Sequence, residues 1–174
     1  MLIGALSDSH GRADTTAQAV SMLVERGAHV LLHLGDVETD AVLDELAGHP
    51  ARVVFGNCDD VDRLSRYAAH LGIKVDHPMG VFDADGKNVV FTHGHMPRLV
   101  HDVLGDADYL FHGHSHEVRD ERVGRTRVIN PGALVRASRY TCALLDTRTD
   151  TLELLEVERP PGTRACPSPP MTST

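Results

Sequence analysis

The chain has 174 residues, of which 41% are hydrophobic and 24% are charged; this composition predicts one globular domain and excludes a largely disordered chain. The formal net charge of −8 argues against a nucleic-acid partner held through many phosphate contacts, which needs a basic surface. No apolar run is long enough to span a bilayer or to act as a signal peptide. The three cysteines, Cys58, Cys142 and Cys166, have no paired spacing, which favours a reducing cytoplasm.

The first part of the chain alternates apolar runs with helical patterns. Buried strands are predicted at 1–6, 29–34 and 52–55, and helices at 14–26 and 39–47. Asp14 is expected to cap the first helix. A strand–helix–strand–helix–strand order implies right-handed crossovers and therefore a parallel sheet.

The second part of the chain is predicted to be mostly β-strands. Turn signals separate its apolar runs, and nothing in it marks a linker between two domains. We therefore expect one domain over residues 1–158 and a disordered Pro/Ser/Thr-rich tail over 159–174. The predicted strands are 73–82, 87–91, 109–111, 117–122, 126–129, 140–145 and 152–157, and the predicted helices are 61–69 and 97–104.

Residue types that bind metals follow five of the predicted strands. The most distinctive group places three histidines within residues 112–116, directly after an apolar run. Each group alone has a structural alternative, such as a helix cap, a turn residue or a buried histidine. The carboxyl ends of strands in one sheet converge in space, so the five groups together favour a metal site. The candidate ligands are Asp8, His10, Asp36, Asn57, His93, His114 and His116.

Seven mixed nitrogen and oxygen ligands are too many for one tetrahedral zinc ion. They suit two ions that share a carboxylate, and they favour Mn, Fe, Ni or Zn over Ca. Two such ions can supply a hydroxide for attack on phosphorus and can neutralise the charge that develops on the phosphoryl oxygens.

In order and spacing, these residues resemble the five signature blocks of the calcineurin-like metallophosphoesterases. The short length and the Gly56-Asn57-Cys58-Asp59 segment resemble the small prokaryotic phosphodiesterases, which are related to the retromer small subunit. The resemblance implies an α/β fold in which two facing mixed sheets are flanked by helices, a four-layer αββα sandwich. It also implies that Asp36 bridges two ions. One ion would be held by Asp8, His10, Asp36 and His116, and the other by Asp36, Asn57, His93 and His114.

Several neighbours of these ligands are candidates for other roles. Arg12, Thr92 and His95 are near enough in sequence to contact the substrate, although a structural role is equally compatible with each. Asp36 and Asn57 would also take part in catalysis, with Asp59 behind them. Cys58 stands where many relatives have a histidine that is thought to assist the leaving group, and a thiol is a poorer proton donor than imidazolium. Cys58 either takes part or merely fills space. Ala133 stands where relatives often have serine, in a peripheral loop.

The sequence therefore predicts a metal-dependent phosphoesterase that hydrolyses phosphodiesters by means of a hydroxide held between two ions. The expected substrate is a small phosphodiester or phosphomonoester, with no membrane partner and with homo-oligomers left open. Two alternatives are a non-catalytic, metal-binding scaffold for protein interactions and a nuclease. A scaffold tends to lose metal ligands, whereas this chain keeps all seven, and the acidic charge counts against a nuclease.

Overall fold

The structure is a computed structural model that describes residues 1–160. Two mixed β-sheets face each other, and helices cover their outer sides. The strands are β1 (Leu2–Leu6), β2 (Val30–His33), β3 (Ala51–Val53), β4 (Lys74–Val75), β5 (Met79–Ala84), β6 (Lys87–Thr92), β7 (Tyr109–Phe111), β8 (Arg119–Val123), β9 (Thr126–Asn130), β10 (Tyr140–Asp146) and β11 (Thr151–Val157). The helices are α1 (Ala13–Glu25), α2 (Asp40–Asp44), α3 (Val61–His70) and α4 (Pro97–Val103).

The first sheet has the order β11-β10-β1-β2-β3-β4, and the second has the order β5-β6-β7-β9-β8. Strands β1 to β4 are parallel, as the alternating pattern predicts for β1 to β3, and β10 and β11 add an antiparallel edge. In the second sheet β6, β7 and β9 are parallel. The predicted sandwich of two mixed sheets flanked by helices is confirmed.

Side chains of the central strands alternate between two buried layers. In β2, Leu31 packs in the cluster shared with α1, α2 and α3, whereas Leu32 packs between the sheets. In β7, Phe111 lies between the sheets and Leu110 faces the α4 side. Because both faces are buried, these strands read as continuous apolar runs. Truncating a buried aromatic such as Phe111, which is 0% exposed, would cost about 3–5 kcal/mol.

Two local predictions are wrong. Asp14 does not cap α1, because the helix begins one residue earlier and its N-cap residue, Arg12, makes no side-chain cap bond. The predicted strand over 73–82 is divided: β4 joins the first sheet, and β5 begins the second. Composition alone does not show that one apolar stretch serves two sheets.

The predicted tail lies almost entirely outside the described residues. Of its first residues, Arg159 donates hydrogen bonds to the carbonyls of Ala137 and Ser138 and stacks over Tyr140 at 4.9 Å. None of the helices within residues 1–160 has the length and apolar character needed to cross a membrane.

Candidate metal centre

The seven candidate ligands all follow strands that end at one edge of the sandwich. The first sheet supplies Asp8 and His10 after β1, Asp36 after β2 and Asn57 after β3. The second supplies His93 after β6, and His114 and His116 after β7. Parallel strands bring their carboxyl ends to the same edge, which is why distant parts of the sequence meet here.

Backbone contacts tie these loops together. The amide of Asp8 donates to the Gly35 carbonyl at 3.0 Å, and the amide of His10 donates to the Asp36 carbonyl at 2.8 Å. Gly56 permits an especially close approach, since a Cβ atom there would lie 2.0 Å from Asp36 Oδ1. The positions of the side chains are therefore fixed largely by the backbone.

The backbone is strained at five of the seven positions. Non-glycine residues rarely adopt a positive φ, which costs on the order of 1–3 kcal/mol and tends to occur at functional sites. The five angles, all in the left-handed region, are 54° at Asp8, 42° at His10, 53° at Asp36, 69° at His114 and 60° at His116.

A first cluster of ligand atoms gathers around His10. Its Nε2 atom lies 3.3 Å from His116 Nε2 and 3.6 Å from Asp36 Oδ2. His116 Nε2 in turn lies 3.4 Å from Asp8 Oδ1. Ligands about 2.1 Å from a shared ion stand roughly 3.0–3.4 Å apart, so these separations fit a metal site.

A second cluster shares Asp36 with the first. His93 Nε2 lies 3.5 Å from Asp36 Oδ1 and 3.3 Å from Asn57 Oδ1. The His114 ring lies 5.1 Å from the His93 ring, centroid to centroid. Asp36 therefore directs one carboxylate oxygen towards each cluster.

Hydrogen bonds behind two of the histidines determine which ring nitrogen is free. His93 Nδ1 lies 2.7 Å from the Leu34 carbonyl, which can only accept, so the proton is on Nδ1 and Nε2 keeps its lone pair. His10 Nδ1 lies 2.7 Å from Glu38 Oε1, which assigns its proton in the same way. Partners of this kind orient metal-binding histidines and raise their basicity.

One buried oxygen is unsatisfied. Asp8 Oδ1 has no hydrogen-bond partner within residues 1–160, although Asp8 is 0% exposed. Burial raises the pKa of Asp8, but contacts with His116 and Ser7 outweigh it and hold that pKa below its usual range. A buried, ionised carboxylate oxygen that accepts no hydrogen bond, with only a histidine nitrogen 3.4 Å away, is costly unless a cation binds it. The residues therefore fit the divalent ions that the sequence predicts.

Among the other predicted site residues, those that follow Asn57 lie close to the clusters. Cys58 is exposed, and its amide donates to Asp36 Oδ1 at 3.0 Å. Burial and the Asp36 carboxylate raise the pKa of the Cys58 thiol. Asp59 accepts hydrogen bonds from the amides of Glu38 at 2.6 Å and Gly56 at 2.8 Å, so it holds two site loops together.

The three predicted substrate contacts fall in different surroundings. The His95 ring lies 5.2 Å from His93 and 6.2 Å from His114, centroid to centroid, at the second cluster. Thr92 is buried and donates to the Pro78 carbonyl at 3.0 Å. Arg12 is paired with Asp14 at 2.8 Å. The structure thus brings His95 to the site, whereas Thr92 and Arg12 have other partners.

Four residues with roles around the site were not singled out in the sequence. Glu38 could have been found, because it lies two residues after Asp36 in the same loop. Asn130 donates to the Gly113 carbonyl and to Ser115, each at 3.0 Å, and so fixes the histidine-rich loop. Its position in a predicted loop next to proline and glycine gave only a turn signal. The remaining two are His33, which contacts Ser9 at 2.7 Å, and Arg136, which reaches His10 from the loop after β9.

Comparison with known proteins identifies the family. Residues 1–150 match the model of the calcineurin-like phosphoesterase superfamily domain, and the chain belongs to this family. Probable metallophosphoesterase YsnB of Bacillus subtilis is 26% identical over 91% of this chain and 85% of its own length. Phosphodiesterase YfcE of Escherichia coli strain K12 is 28% identical over 74% of this chain and 76% of its own length.

Solved structures share the fold. An archaeal phosphodiesterase superposes with a TM-score of 0.82 at 23% identity, over 90% of this chain and 100% of that one. Vps29 of Entamoeba histolytica superposes with a TM-score of 0.59 at 20% identity, over 91% of this chain and 100% of that one. The resemblance to small prokaryotic phosphodiesterases and to the retromer small subunit is confirmed.

Proposed function

We propose that this protein is a phosphodiesterase that uses two divalent transition-metal ions. The observation that carries the proposal is the position of Asp36, whose two carboxylate oxygens face separate groups of ligand atoms at 3.5 and 3.6 Å. The names of YfcE and of the archaeal structural neighbour support a phosphodiester substrate. Among the metals, Mn, Ni, Fe and Zn suit a site of imidazole and carboxylate ligands.

The two clusters would hold the two ions. Asp8, His10 and His116 would bind one, and Asn57, His93 and His114 the other, with Asp36 binding both. When bound, the ions would supply a hydroxide nucleophile at neutral pH and neutralise charge on the phosphoryl oxygens. Asn57 contributes no charge, which leaves the pair of ions more electrophilic.

The residues behind the ligands prepare the site before substrate arrives. Glu38 and the Leu34 carbonyl hold the His10 and His93 rings in the tautomer whose Nε2 atom is free. The Cys58 amide keeps Asp36 oriented. Groups that are fixed in advance need no rearrangement during the reaction, which lowers its barrier.

A chelation experiment tests this proposal. Removing metal from the purified protein should abolish hydrolysis of an aryl phosphodiester, and adding Mn or Ni should restore it. Elemental analysis should find two ions per chain after reconstitution. Activity that is unaffected by chelator, together with no stoichiometric metal, would exclude the mechanism. A parallel series of aryl phosphomonoesters decides between diesterase and monoesterase activity.

The similarity to Vps29 favours one alternative, a scaffold for protein interactions. The unsatisfied Asp8 oxygen and the strained ligand positions support metal binding, which a metal-binding scaffold would share, so hydrolysis decides between the two. A protein that binds two ions but hydrolyses no diester or monoester with any of Mn, Ni, Zn and Mg would favour the scaffold. A cytoplasmic location and the oligomeric state stay predictions.

A further inference from the structure

Arg136 lies beside the first cluster, in the loop between β9 and β10. Its Nη1 atom is 3.3 Å from His10 Nδ1. It is exposed, and its φ of 55° is in the left-handed region. The chain thus accepts a strained backbone at a position that brings a guanidinium group to the ligands.

The contact with His10 is not a hydrogen bond when the ring is in its metal-binding state. Glu38 holds the proton on Nδ1, at 2.7 Å, so that Nε2 can bind an ion. A protonated Nδ1 cannot accept a hydrogen bond, and the guanidinium group has only donors. The tautomer that prepares His10 for metal therefore leaves the facing Arg136 donor without an acceptor.

The charges around Arg136 point to an external anion. Nearby arginines are already paired: Arg12 with Asp14, Arg63 with Asp40, and Arg139 with Glu156. Within residues 1–160, Arg136 forms no ion pair with a carboxylate. A guanidinium group at the edge of an anion-binding site can donate two parallel hydrogen bonds from its planar N–H groups to two phosphoryl oxygens.

We infer that Arg136 binds the non-bridging phosphoryl oxygens of the substrate, on the side of His10 and His116. The inference rests on the proposed phosphoesterase function and extends it to a residue outside the metal ligands. A cation here also offsets the net charge of −8, which repels an anionic substrate. The structural alternative is that Arg136 only supports the His10 and His116 rings.

Titration calorimetry with inorganic phosphate tests the inference without requiring turnover. The proteins are the Mn-loaded wild type, Arg136→Ala, Arg136→Lys and the control Arg139→Ala, which removes an exposed arginine from the same loop. Arg136→Ala should weaken phosphate binding on the order of 10–100-fold, the usual effect of losing a hydrogen-bonded charge pair. The phosphate affinity of Arg136→Lys should lie between those of the wild type and Arg136→Ala. Arg139→Ala should bind phosphate as tightly as the wild type.

Metal content separates substrate binding from structural support. If the inference is right, Arg136→Ala keeps the same ions per chain as the wild type, and millimolar guanidinium partly restores its phosphate affinity. Loss of metal from Arg136→Ala, or phosphate affinity equal to that of Arg139→Ala, would overturn it. So would a metal-loaded wild type that does not bind phosphate.

These measurements distinguish failure of the inference from failure of the proposed function. If the wild type is active but Arg136→Ala binds phosphate as tightly as the wild type does, the inference is wrong and the proposed function stands. If the wild type binds phosphate through Arg136 but hydrolyses no phosphoester, the proposed function is wrong and the role of Arg136 in anion binding stands. In an active enzyme, the KM for an aryl phosphodiester should rise in Arg136→Ala by more than kcat falls, since the contact is already made in the ground state.

Discussion

Charged side chains gather at both ends of the sandwich, but only one group is internally satisfied. At the end opposite the candidate ligands, an ion-pair cluster joins three arginines to three aspartates: Arg122, Arg125 and Arg127 with Asp108, Asp120 and Asp150. Arg127 binds both oxygens of Asp120, at 2.7 and 2.8 Å, and also Asp150 at 2.8 Å.

The charged groups of the candidate metal centre are not satisfied by each other in this way. Asp8 and Asp36 face histidines instead of arginines, and Asp8 Oδ1 accepts no hydrogen bond within residues 1–160. Charged residues alone do not mark a functional site, because the ion-pair cluster is also made of charged residues. The distinguishing feature is a buried carboxylate oxygen that accepts no hydrogen bond, which implies a ligand from outside the chain. A positive φ does not distinguish the two groups, because Asp150 of the ion-pair cluster also has one, at 56°.

The largest predicted effect concerns Asp36, which faces both ligand clusters. Asp36→Asn should lower kcat/KM of the Mn-loaded enzyme by more than 100-fold, beyond the roughly 10–100-fold typical of losing a partner behind the ligands. It should also reduce occupancy of both ions, whereas His116→Gln should affect one. Activity assays and elemental analysis measure this; equal, mild losses in the two variants would show that the ligand assignment is wrong.

Glu38 provides an intermediate test, since it touches a ligand but would not touch an ion. Glu38→Ala should weaken Mn affinity on the order of 10–100-fold, because His10 loses the partner that fixes its tautomer. Glu38→Gln can still accept the hydrogen bond from His10, so its Mn affinity should fall less than that of Glu38→Ala. The control is Glu45→Gln, at the C-terminal end of α2. Titration of the metal-free proteins measures the difference, and identical affinities for Glu38→Ala and the control would contradict the role.

A substitution of Arg127 tests whether the ion-pair cluster stabilises the fold. Arg127→Met should lower the free energy of unfolding by about 1–2 kcal/mol, less than for a fully buried pair because Asp120 and Asp150 are 37% and 39% exposed. Activity should not change. Denaturant unfolding measures the effect against Arg139→Met, which breaks an exposed pair and should cost at most about 0.5 kcal/mol. An unfolding free energy equal to that control would refute the structural role.

The same variant should alter the pH dependence of stability. Arg127 lowers the pKa of Asp120 in the folded state. The stabilisation is therefore fully present above the unfolded pKa, near ~3.9, and is lost as pH falls through the folded value. The difference between the wild type and Arg127→Met should shrink below about pH 4. A difference that stays constant with pH would exclude this linkage.

Removing the Cys58 thiol should have the smallest effect among the substitutions at the candidate site. If the thiol only fills space, Cys58→Ala should change kcat for aryl phosphodiesters by less than about twofold. Cys58→His should raise rates most for poor, alkyl leaving groups, since a general acid is worth roughly 10²–10⁴-fold where one operates. A leaving-group series on all three proteins tests this. If rate depends on leaving-group pKa with the same slope in the wild type and Cys58→His, the histidine supplies no general acid. A large loss of activity in Cys58→Ala would show that the thiol takes part.

Most strands and the meeting of the candidate ligands could be predicted because both follow from local rules, whereas the two facing sheets were implied only by the family resemblance. Apolar runs of strand length mark buried strands, and polar residues directly after them must lie at the sheet edge. The position of Arg136 could not be predicted, since it depends on how the loop after β9 folds back over His10. Likewise, the division of residues 73–82 between two sheets depends on tertiary pairing and not on the composition of that segment.

The left-handed backbone at the ligand positions also sets how the protein would change under selection. In a library selected for folding alone, glycine or asparagine should replace Asp8, Asp36 and His114, because both tolerate a positive φ better than other residues do. Such descendants would gain stability and lose the metal centre together. Inactive relatives should therefore be recognisable by glycine or asparagine at these positions.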